Sequence, residues 1–311
     1  MRRISIGTWA FAIGPRASSP IPFSELVERI ALLGFDGLEL GGFGPHPNVG
    51  LLTTLEERQA ARALWESRGM ICNGLAADLW NEKLLTAPTN ESYLAAFRQN
   101  LQFCRDLGVE VMRVDTTEDP RVLGPVGDEP PLAETIDRHI AIRRVGETWR
   151  QCAHEAQDYG VRVVWEPEPG FAFNAPSDVF RVIELVNHDN FGILFDTCHA
   201  NMIAVHGARQ PNGKCETFPG GVAGFARALK GKIGRIHLID SNDALHEGRT
   251  SAHPPFGEGR LNFEEIMPAL IEAGCQDDWW TVDLCYWPDA WTATEKCKRF
   301  MDGLNAKFGA M

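Results

Sequence analysis

The sequence has no uninterrupted run of about twenty apolar residues, which excludes an ordinary membrane-spanning helix. Its first residues, MRRISIGTWAF, pass directly into a strand-like segment without the apolar core and cleavage site of a secretory leader, so a cytoplasmic protein is expected. Positive charge is scarce: a formal charge of −12 offers no basic footprint for a phosphate backbone, and no nucleic-acid partner is expected. The eight cysteines, Cys72, Cys104, Cys152, Cys198, Cys215, Cys275, Cys285 and Cys297, form no CxxC pair. Most lie within apolar patterns, which predicts free, largely buried thiols and excludes a CxxC thiolate zinc site. No strand-to-helix turn carries G-x-G-x-x-G or a P-loop, which removes the usual cradles for dinucleotides and nucleoside triphosphates. With no low-complexity tract and no linker-like stretch, one domain spanning residues 1–311 is expected.

What is present is a repeat of short apolar segments and longer amphipathic ones. Eight segments read as strands: RRISIGTW, GLELGGF, MICNGLAA, VMRVDTT, RVVWEPE, GILFDTCH, RIHLIDS and WWTVDLCYW. Helical patterns separate them over Ser24–Leu33, Leu55–Ser67, Asn90–Leu107, Leu132–Asp158, Pro176–Asn187, Gly221–Leu229, Asn262–Ala273 and Asp289–Phe308. Gly34, Gly69, Gly108, Gly160, Gly231 and Gly274 stand where left-handed helix caps belong, and the next strand follows at once. The strand-to-helix segments are instead long and rich in Gly, Pro and His. An α/β protein folded as a single (β/α)8 barrel needs this asymmetry, because its working loops collect at the carboxyl ends of the strands.

The fifth to eighth strands each end in a residue able to bind metal: Glu166 in VVWEPEPG, Asp196 in ILFDTCH, His237 in RIHLIDS and Asp283 in TVDLCYW. Taken singly, any one of these acids could be a surface residue, and Asp196 before Thr197 could be only a helix N-cap. Together, at adjacent strand ends of a barrel, three carboxylates and one imidazole make a hard, oxygen-rich site. Such a site suits Mn2+ first, with Mg2+, Co2+ or Zn2+ as the other divalent candidates. Glu166 and Asp283, from different strands, are the expected acid and base for proton transfer. His199 follows Asp196 closely, and Glu168 lies two residues beyond Glu166, so both are expected to touch substrate. Trp9 near the first strand end can offer an indole face to a sugar ring, as can Trp80 and Trp287; Trp165, Trp279 and Trp280 read as core. His46, His206, His246 and His253 fall in strand-to-helix loops, of which His46 and His253, with Arg249, are taken as pocket candidates, whereas His139, His154 and His188 read as structural.

These residues resemble those of the xylose isomerase-like superfamily of TIM barrels, which includes sugar isomerases and epimerases, inosose dehydratases, hydroxypyruvate isomerases and apurinic endonucleases. The resemblance rests on the strand-five Glu166, the D-x-x-H of Asp196 and His199, the strand-seven His237 and the segment HPPFGEGRLNF. It implies Glu166, Asp196, His237 and Asp283 as metal ligands and His199 as a substrate contact. Two positions depart from the family's pattern. Asp283 stands where many epimerases have Glu, and Asp240, Ser241, Asn242 and Asp243 follow strand seven without the Arg that ketose epimerases place there, leaving Arg249 or His253 to substitute.

The expected function is therefore isomerisation or epimerisation of a non-phosphorylated sugar or keto-sugar, by abstraction of a proton next to a carbonyl with a metal-stabilised enediolate. The competing expectation is a lyase on the same site, an inosose dehydratase or an enzyme that cleaves a 3-keto-glycoside or C-glycoside, in which loss of a β-substituent follows the same abstraction. A barrel without catalysis and a repair endonuclease are the remaining readings; the endonuclease would need more zinc ligands and a basic groove. The eighth strand-to-helix loop, LCYWPDAW, has neither clustered arginine nor glycine nests for a phosphate. A carbohydrate is the expected small-molecule partner, no membrane partner is expected, and the aromatic-rich loops with the segment Pro120 to Pro131 suggest a homo-oligomer.

Overall fold

Strands buried on both faces carry continuous apolar runs, and helices that cover them carry one apolar stripe. The computed structural model describes residues 1–211 and 215–310; residues 212–214, in the long segment after the sixth strand, and residue 311 lie outside it. In chain order the elements are β1 (Arg3–Gly7), α1 (Phe23–Leu32), β2 (Gly37–Gly41), α2 (Leu55–Glu66), β3 (Ile71–Ala76), α3 (Glu91–Leu107), β4 (Val111–Val114), α4 (Arg138–Gln157), β5 (Arg162–Trp165) and α5 (Pro176–Val186). There follow β6 (Phe191–Asp196), α6 (Thr197–Ala204), α7 (Gly221–Ala228), β7 (Ile233–Leu238), β8 (Leu245–His246), β9 (Thr250–Ser251), α8 (Phe263–Ala273), β10 (Trp279–Val282) and α9 (Ala290–Phe308). Eight of the strands close into a barrel in the order β1-β10-β7-β6-β5-β4-β3-β2, each pair parallel, while β8 and β9 form a separate antiparallel hairpin. The fold is a single (β/α)8 barrel, as the sequence pattern predicts.

The helices seal the outer face of the barrel. On α3, Tyr93, Leu94, Phe97, Leu101, Cys104 and Leu107 recur at helical spacing and are all buried. Between the α4 layer and the wall, Trp149 packs on Trp165 with ring centroids 5.2 Å apart, and its Nε1–H donates to the Tyr93 hydroxyl at 2.9 Å. The indole thus buries its apolar body without leaving a polar atom unpaired. Trp165, Trp279 and Trp280 are all buried, as expected of core residues. Gly34, Gly69, Gly108, Gly160, Gly231 and Gly274 all have positive φ, the conformation that lets each helix turn back into the next strand.

Three local expectations change. The helix expected over Leu132–Asp158 begins only at Arg138, because the Asp137 side chain accepts from the backbone N–H of His139 and Ile140 and caps it there. The segment after β6, read as loop, starts with α6. The hairpin β8–β9 inside the loop after β7 also has no counterpart in the sequence reading, since its strands are too short to show a period. The segment around Pro120 to Pro131 is tied to its own chain: Arg209 bridges Asp119 at 2.8 Å and Glu129 at 3.1 Å. All eight cysteines are free; six are buried, Cys275 is half-buried and Cys215 is exposed. Among the described residues no helix is long and apolar enough to cross a membrane.

Candidate active site

The carboxyl ends of β5, β6, β7 and β10 bring Glu166, Asp196, His237 and Asp283 together, with one ligand atom from each within 4.8 Å of the others. Register does part of this work, since Asp196 pairs with His237 across β6–β7, and His237 pairs with Thr281 across β7–β10. His237 Nδ1 lies 3.1 Å from Glu166 Oε1 and 3.4 Å from Asp283 Oδ2. All four residues are at most 2% exposed.

Asp196 is at once a member of this cluster and the N-cap of α6. Its Oδ1 accepts from the His199 backbone N–H at 2.7 Å, whereas its Oδ2 has no hydrogen-bond partner. The cap reading therefore holds for Oδ1, Oδ2 stays free beside the cluster, and the cap sets His199 in the first turn of α6. Asp283 Oδ1 accepts from Trp9 Nε1 at 2.6 Å and from Cys285 Sγ at 3.2 Å, which turns Oδ2 toward His237. The Trp9 ring lies where any side chain at Gly7 would strike it, a Cβ there falling 2.2 Å from the ring.

The other nitrogen of His237 finds a residue that the sequence reading missed. His237 Nε2 is 3.1 Å from Glu39 Oε2, and Glu39 is bridged in turn by Arg235 Nη1 at 3.2 Å. A carboxylate that accepts from Nε2–H fixes the tautomer and leaves Nδ1 as the nitrogen facing the cluster. Arg113, also missed, pairs with Glu166 Oε2 at 2.5 Å and with Asp115 at 3.0 Å. A signal for both existed: GLELGG and VMRV each place one charge inside an apolar strand covered by helices, where a charge can only face the barrel interior. The interior is tight there, for a Cβ on Gly74 would come within 2.9 Å of Arg235 Nη1 and 3.0 Å of Glu39 Cδ.

The electrostatics describe a site short of positive charge. Burial alone would raise the Glu39 carboxyl, but His237 and Arg235 beside it draw it below its usual range. Burial opposes a proton on His237, yet the surrounding carboxylates of Glu39, Asp283 and Glu166 outweigh it and hold the imidazole well above its ordinary value. Asp283 would rise by burial, but His253 and His237 pull it far down. Glu166 is raised by burial, with Arg113 and His237 only partly offsetting it, and burial pushes Glu168 up to about 7 against the pull of Arg113.

A divalent cation fits these residues on structural grounds. Both Glu166 oxygens and Asp196 Oδ2 are buried without a well-formed hydrogen bond. Three carboxylates packed this closely are costly to bury unless a concentrated positive charge faces them. The donor set, oxygen-rich with one imidazole, is one that Mn2+, Mg2+, Co2+ or Zn2+ accepts.

Above the cluster opens a pocket of about 310 Å³. Its polar wall contains Trp9, Arg113, Glu168, His199, Arg249, His253 and Asp283, and its apolar wall contains Ile13, Phe43, Trp80 and Tyr286. Of the cluster, Asp283 lines the pocket, while Glu166, Asp196 and His237 do not. Of the substrate contacts expected from sequence, Trp9, Glu168, His199, Arg249 and His253 are therefore gathered here. His46 is not. Its Nε2–H donates to the Ile21 carbonyl at 3.0 Å, and the turn that carries it is held inward by the Asn48 amide, which donates to the Gly44 and His46 carbonyls. His246 stacks on Tyr286 at 3.7 Å and His206 pairs with Asp243 at 3.1 Å, while Trp287 packs against the core.

Known proteins show the same architecture. The chain is 22% identical over 282 residues to inosose dehydratase 2 of Bacillus cereus (strain ZK / E33L), covering 86% of this chain and 84% of that one. D-psicose 3-epimerase of Clostridium cellulolyticum H10, solved with D-tagatose, superposes with a TM-score of 0.72 at 17% identity, covering 98% of this chain and 99% of that one. The IOLI protein, solved with a bound zinc atom, superposes with a TM-score of 0.68 at 16% identity over the full length of both chains (100% and 100%). Residues 27–301 match the xylose isomerase-like TIM barrel family, and the chain is a member of that family.

Proposed function

We propose that this pocket is the active site of a divalent-metal-dependent enzyme that isomerises or epimerises a non-phosphorylated sugar or keto-sugar by moving a proton next to its carbonyl. One observation carries the reading: buried ligand atoms of Glu166, Asp196, His237 and Asp283 converge beside a pocket lined by aromatic and polar side chains, and the Glu166 oxygens and Asp196 Oδ2 lack a well-formed hydrogen bond. A cation held there would stabilise the negative charge that develops on a carbonyl oxygen as the adjacent proton leaves.

The remaining work falls to the chain's own groups. Glu166 and Asp283 approach the cluster from β5 and β10, so a substrate seated between them meets a carboxylate on each side, as removal and return of a proton require. Arg113, paired with Glu166 Oε2, orients that carboxylate. Trp9 does the same for Asp283. Glu168 and His199 stand 3.4 Å apart in the pocket wall, where they would hold hydroxyl groups, and the Phe43–Trp80 pair, with centroids 4.5 Å apart, would cover the apolar face of the ring. Of the two arginines in the wall, Arg113 is taken up by Glu166 and Asp115, which leaves Arg249 alone to meet an anion, too little for the cradle a sugar phosphate needs.

The similarity to an inosose dehydratase favours a second outcome on the same site, in which proton removal is followed by loss of a β-substituent. A panel of free ketoses, inososes and 3-keto-glycosides in D2O separates the two. Metal-dependent deuterium exchange with unchanged product mass, apart from the label, indicates isomerisation or epimerisation, and loss of water or an aglycone indicates a lyase. Glu166→Gln and Asp283→Asn are expected to lower the rate by about 10²–10⁴-fold. An enzyme whose exchange survives both substitutions and removal of metal would overturn the proposal.

A further inference from the structure

The side chains that line the pocket are sorted by strand. In the closed barrel β10, β1, β2 and β3 are consecutive, and so are β4, β5, β6 and β7. The loops after the first four supply Tyr286, Trp9, Ile13, Phe43 and Trp80. From β4 itself and the loops after β5, β6 and β7 come Arg113, Glu168, His199, Arg249, Thr250 and His253. Phe171, after β5, is the exception on the polar arc, and Asp283 ends β10 next to β7, where the two arcs meet.

The apolar arc exceeds what a sugar ring can use. A free sugar carries a hydroxyl on almost every carbon and offers one small apolar face, which the Phe43–Trp80 pair suffices to cover. Hydroxyls turned toward the rest of the arc would lose water without gaining partners. Yet the arc continues: Trp9, Ile13, Phe43, Cys285 and Tyr286 join an apolar cluster separate from the main core, and Trp80 keeps 41% of its surface exposed. Tyr286 is held in place against its backbone preference, with φ at 58°, a left-handed conformation that bulky residues rarely adopt. Its ring lies flat on His246, the planes 6° apart, and Gly14 leaves it room, since a Cβ there would fall 2.9 Å from the ring. Strain kept at the wall of a pocket points to a role in binding. At about 310 Å³ the pocket also falls within the range of about 300–1,000 Å³ that drug-sized ligands occupy, so a sugar ring leaves room for a substituent.

We propose that the apolar arc is a subsite for a planar aromatic substituent on the sugar, so that the substrate is an aryl glycoside whose ring carries a carbonyl. The assignment rests on the pocket being the site of proton transfer next to a carbonyl, as argued above. Aromatic walls favour a flat partner, which can stack or meet them edge to face. A glycosidic bond masks the anomeric carbonyl, so the carbonyl that acidifies the proton has to sit on another ring carbon. Oxidation of a ring hydroxyl is therefore the class of reaction that must supply this substrate.

Phenyl, cyclohexyl and methyl glycosides of D-glucose, D-galactose, D-mannose and D-xylose lack that ring carbonyl and cannot undergo the proton transfer, so calorimetry on the full-length, Mn2+-loaded protein reads their binding alone. The phenyl member of at least one set is expected to bind about tenfold or more tighter than its methyl partner, and tighter than its cyclohexyl partner. Tyr286→Asn, whose new side chain tolerates the left-handed backbone, and Ile13→Ala are each expected to cut the phenyl-to-methyl ratio several-fold. Equal phenyl and methyl affinities, no binding by any phenyl glycoside, or a ratio unmoved by both substitutions overturns the subsite. A cyclohexyl member that binds as tightly as the phenyl one overturns its aromatic character. Deuterium exchange on the panel above reports separately on the reaction. Exchange on free sugars without a phenyl preference removes the subsite and keeps the proton transfer, whereas a phenyl preference without metal-dependent exchange on any panel member keeps the binding subsite and removes the reaction.

Discussion

Glu39 is buried to 2% exposure and touches nothing in the pocket, yet its carboxylate decides which nitrogen of His237 faces the cluster. Glu39→Gln keeps the volume but can present an amide N–H toward Nε2, and it removes a buried charge from Arg235. Arg235 keeps Asp277 at 2.7 Å and the Asn73 carbonyl at 2.7 Å, so the variant is expected to fold. Carboxylates behind a ligating histidine typically contribute about 10–100-fold to metal affinity, and a loss in that range is the expected calorimetric result. Affinity equal to wild type would mean that the Glu39 contact serves only to neutralise Arg235. The four residues at the strand ends were legible because each closes an apolar segment, where a lone acid or imidazole stands out. Glu39 and Arg113 sit within their strands, and the rule that would have found them is the same one applied a few residues earlier: inside a helix-covered barrel a charge must point inward.

Element boundaries show where local sequence and three-dimensional need diverge. The helical period over 132–137 is real, but Asp137 offers the backbone a better start, and α4 begins there. The opposite happens after β6, where Asp196 caps a helix in a stretch that reads as loop. The loop after β7 is organised by one side chain: Asp240 accepts backbone N–H groups from Ser241, Gly257, Gly259 and Leu261, at 2.9 to 3.1 Å. Gly259 has to be glycine in this wrap, since a Cβ would fall 2.3 Å from Asp240 Oδ1. The segment FGEGRL was recognisable as a motif, but its acid partner, nearly twenty residues earlier, was not, because the link is a fold contact with no period. Asp240→Ala removes the acceptor of four backbone donors in a partly buried loop, at a cost of about 2 kcal/mol. It is expected to lower the urea midpoint, whereas a midpoint equal to wild type would mean that water takes over the bonds Asp240 makes.

Over the whole molecule the cluster spans four successive strands on one side of the barrel. Closure was not readable from the alternation of strands and helices alone, because an open doubly wound sheet alternates in the same way; the long strand-to-helix loops tipped the balance. The closing contact, Arg3 to Ile6 of β1 against Trp279 to Val282 of β10, joins the two ends of the chain. Glu166, Asp196, His237 and Asp283 come from β5, β6, β7 and β10, successive strands on the side that meets this seam, so their mutual repulsion opposes closure. A cation bound there is a ligand of the closed barrel that the unfolded chain cannot match, and linkage gives its effect: free cation at 100 times its dissociation constant adds about 2.7 kcal/mol to stability. Metal-loaded protein is therefore expected to unfold at higher urea concentration than metal-stripped protein, with an unchanged dependence on denaturant because the surface exposed is the same. His237→Gln is expected to lose most of this increment while keeping the barrel's circular dichroism. Equal midpoints with and without metal, in a protein shown to bind it, would place the cation outside this seam and require the buried carboxylates to be balanced by Arg113, Arg235 and the imidazoles alone.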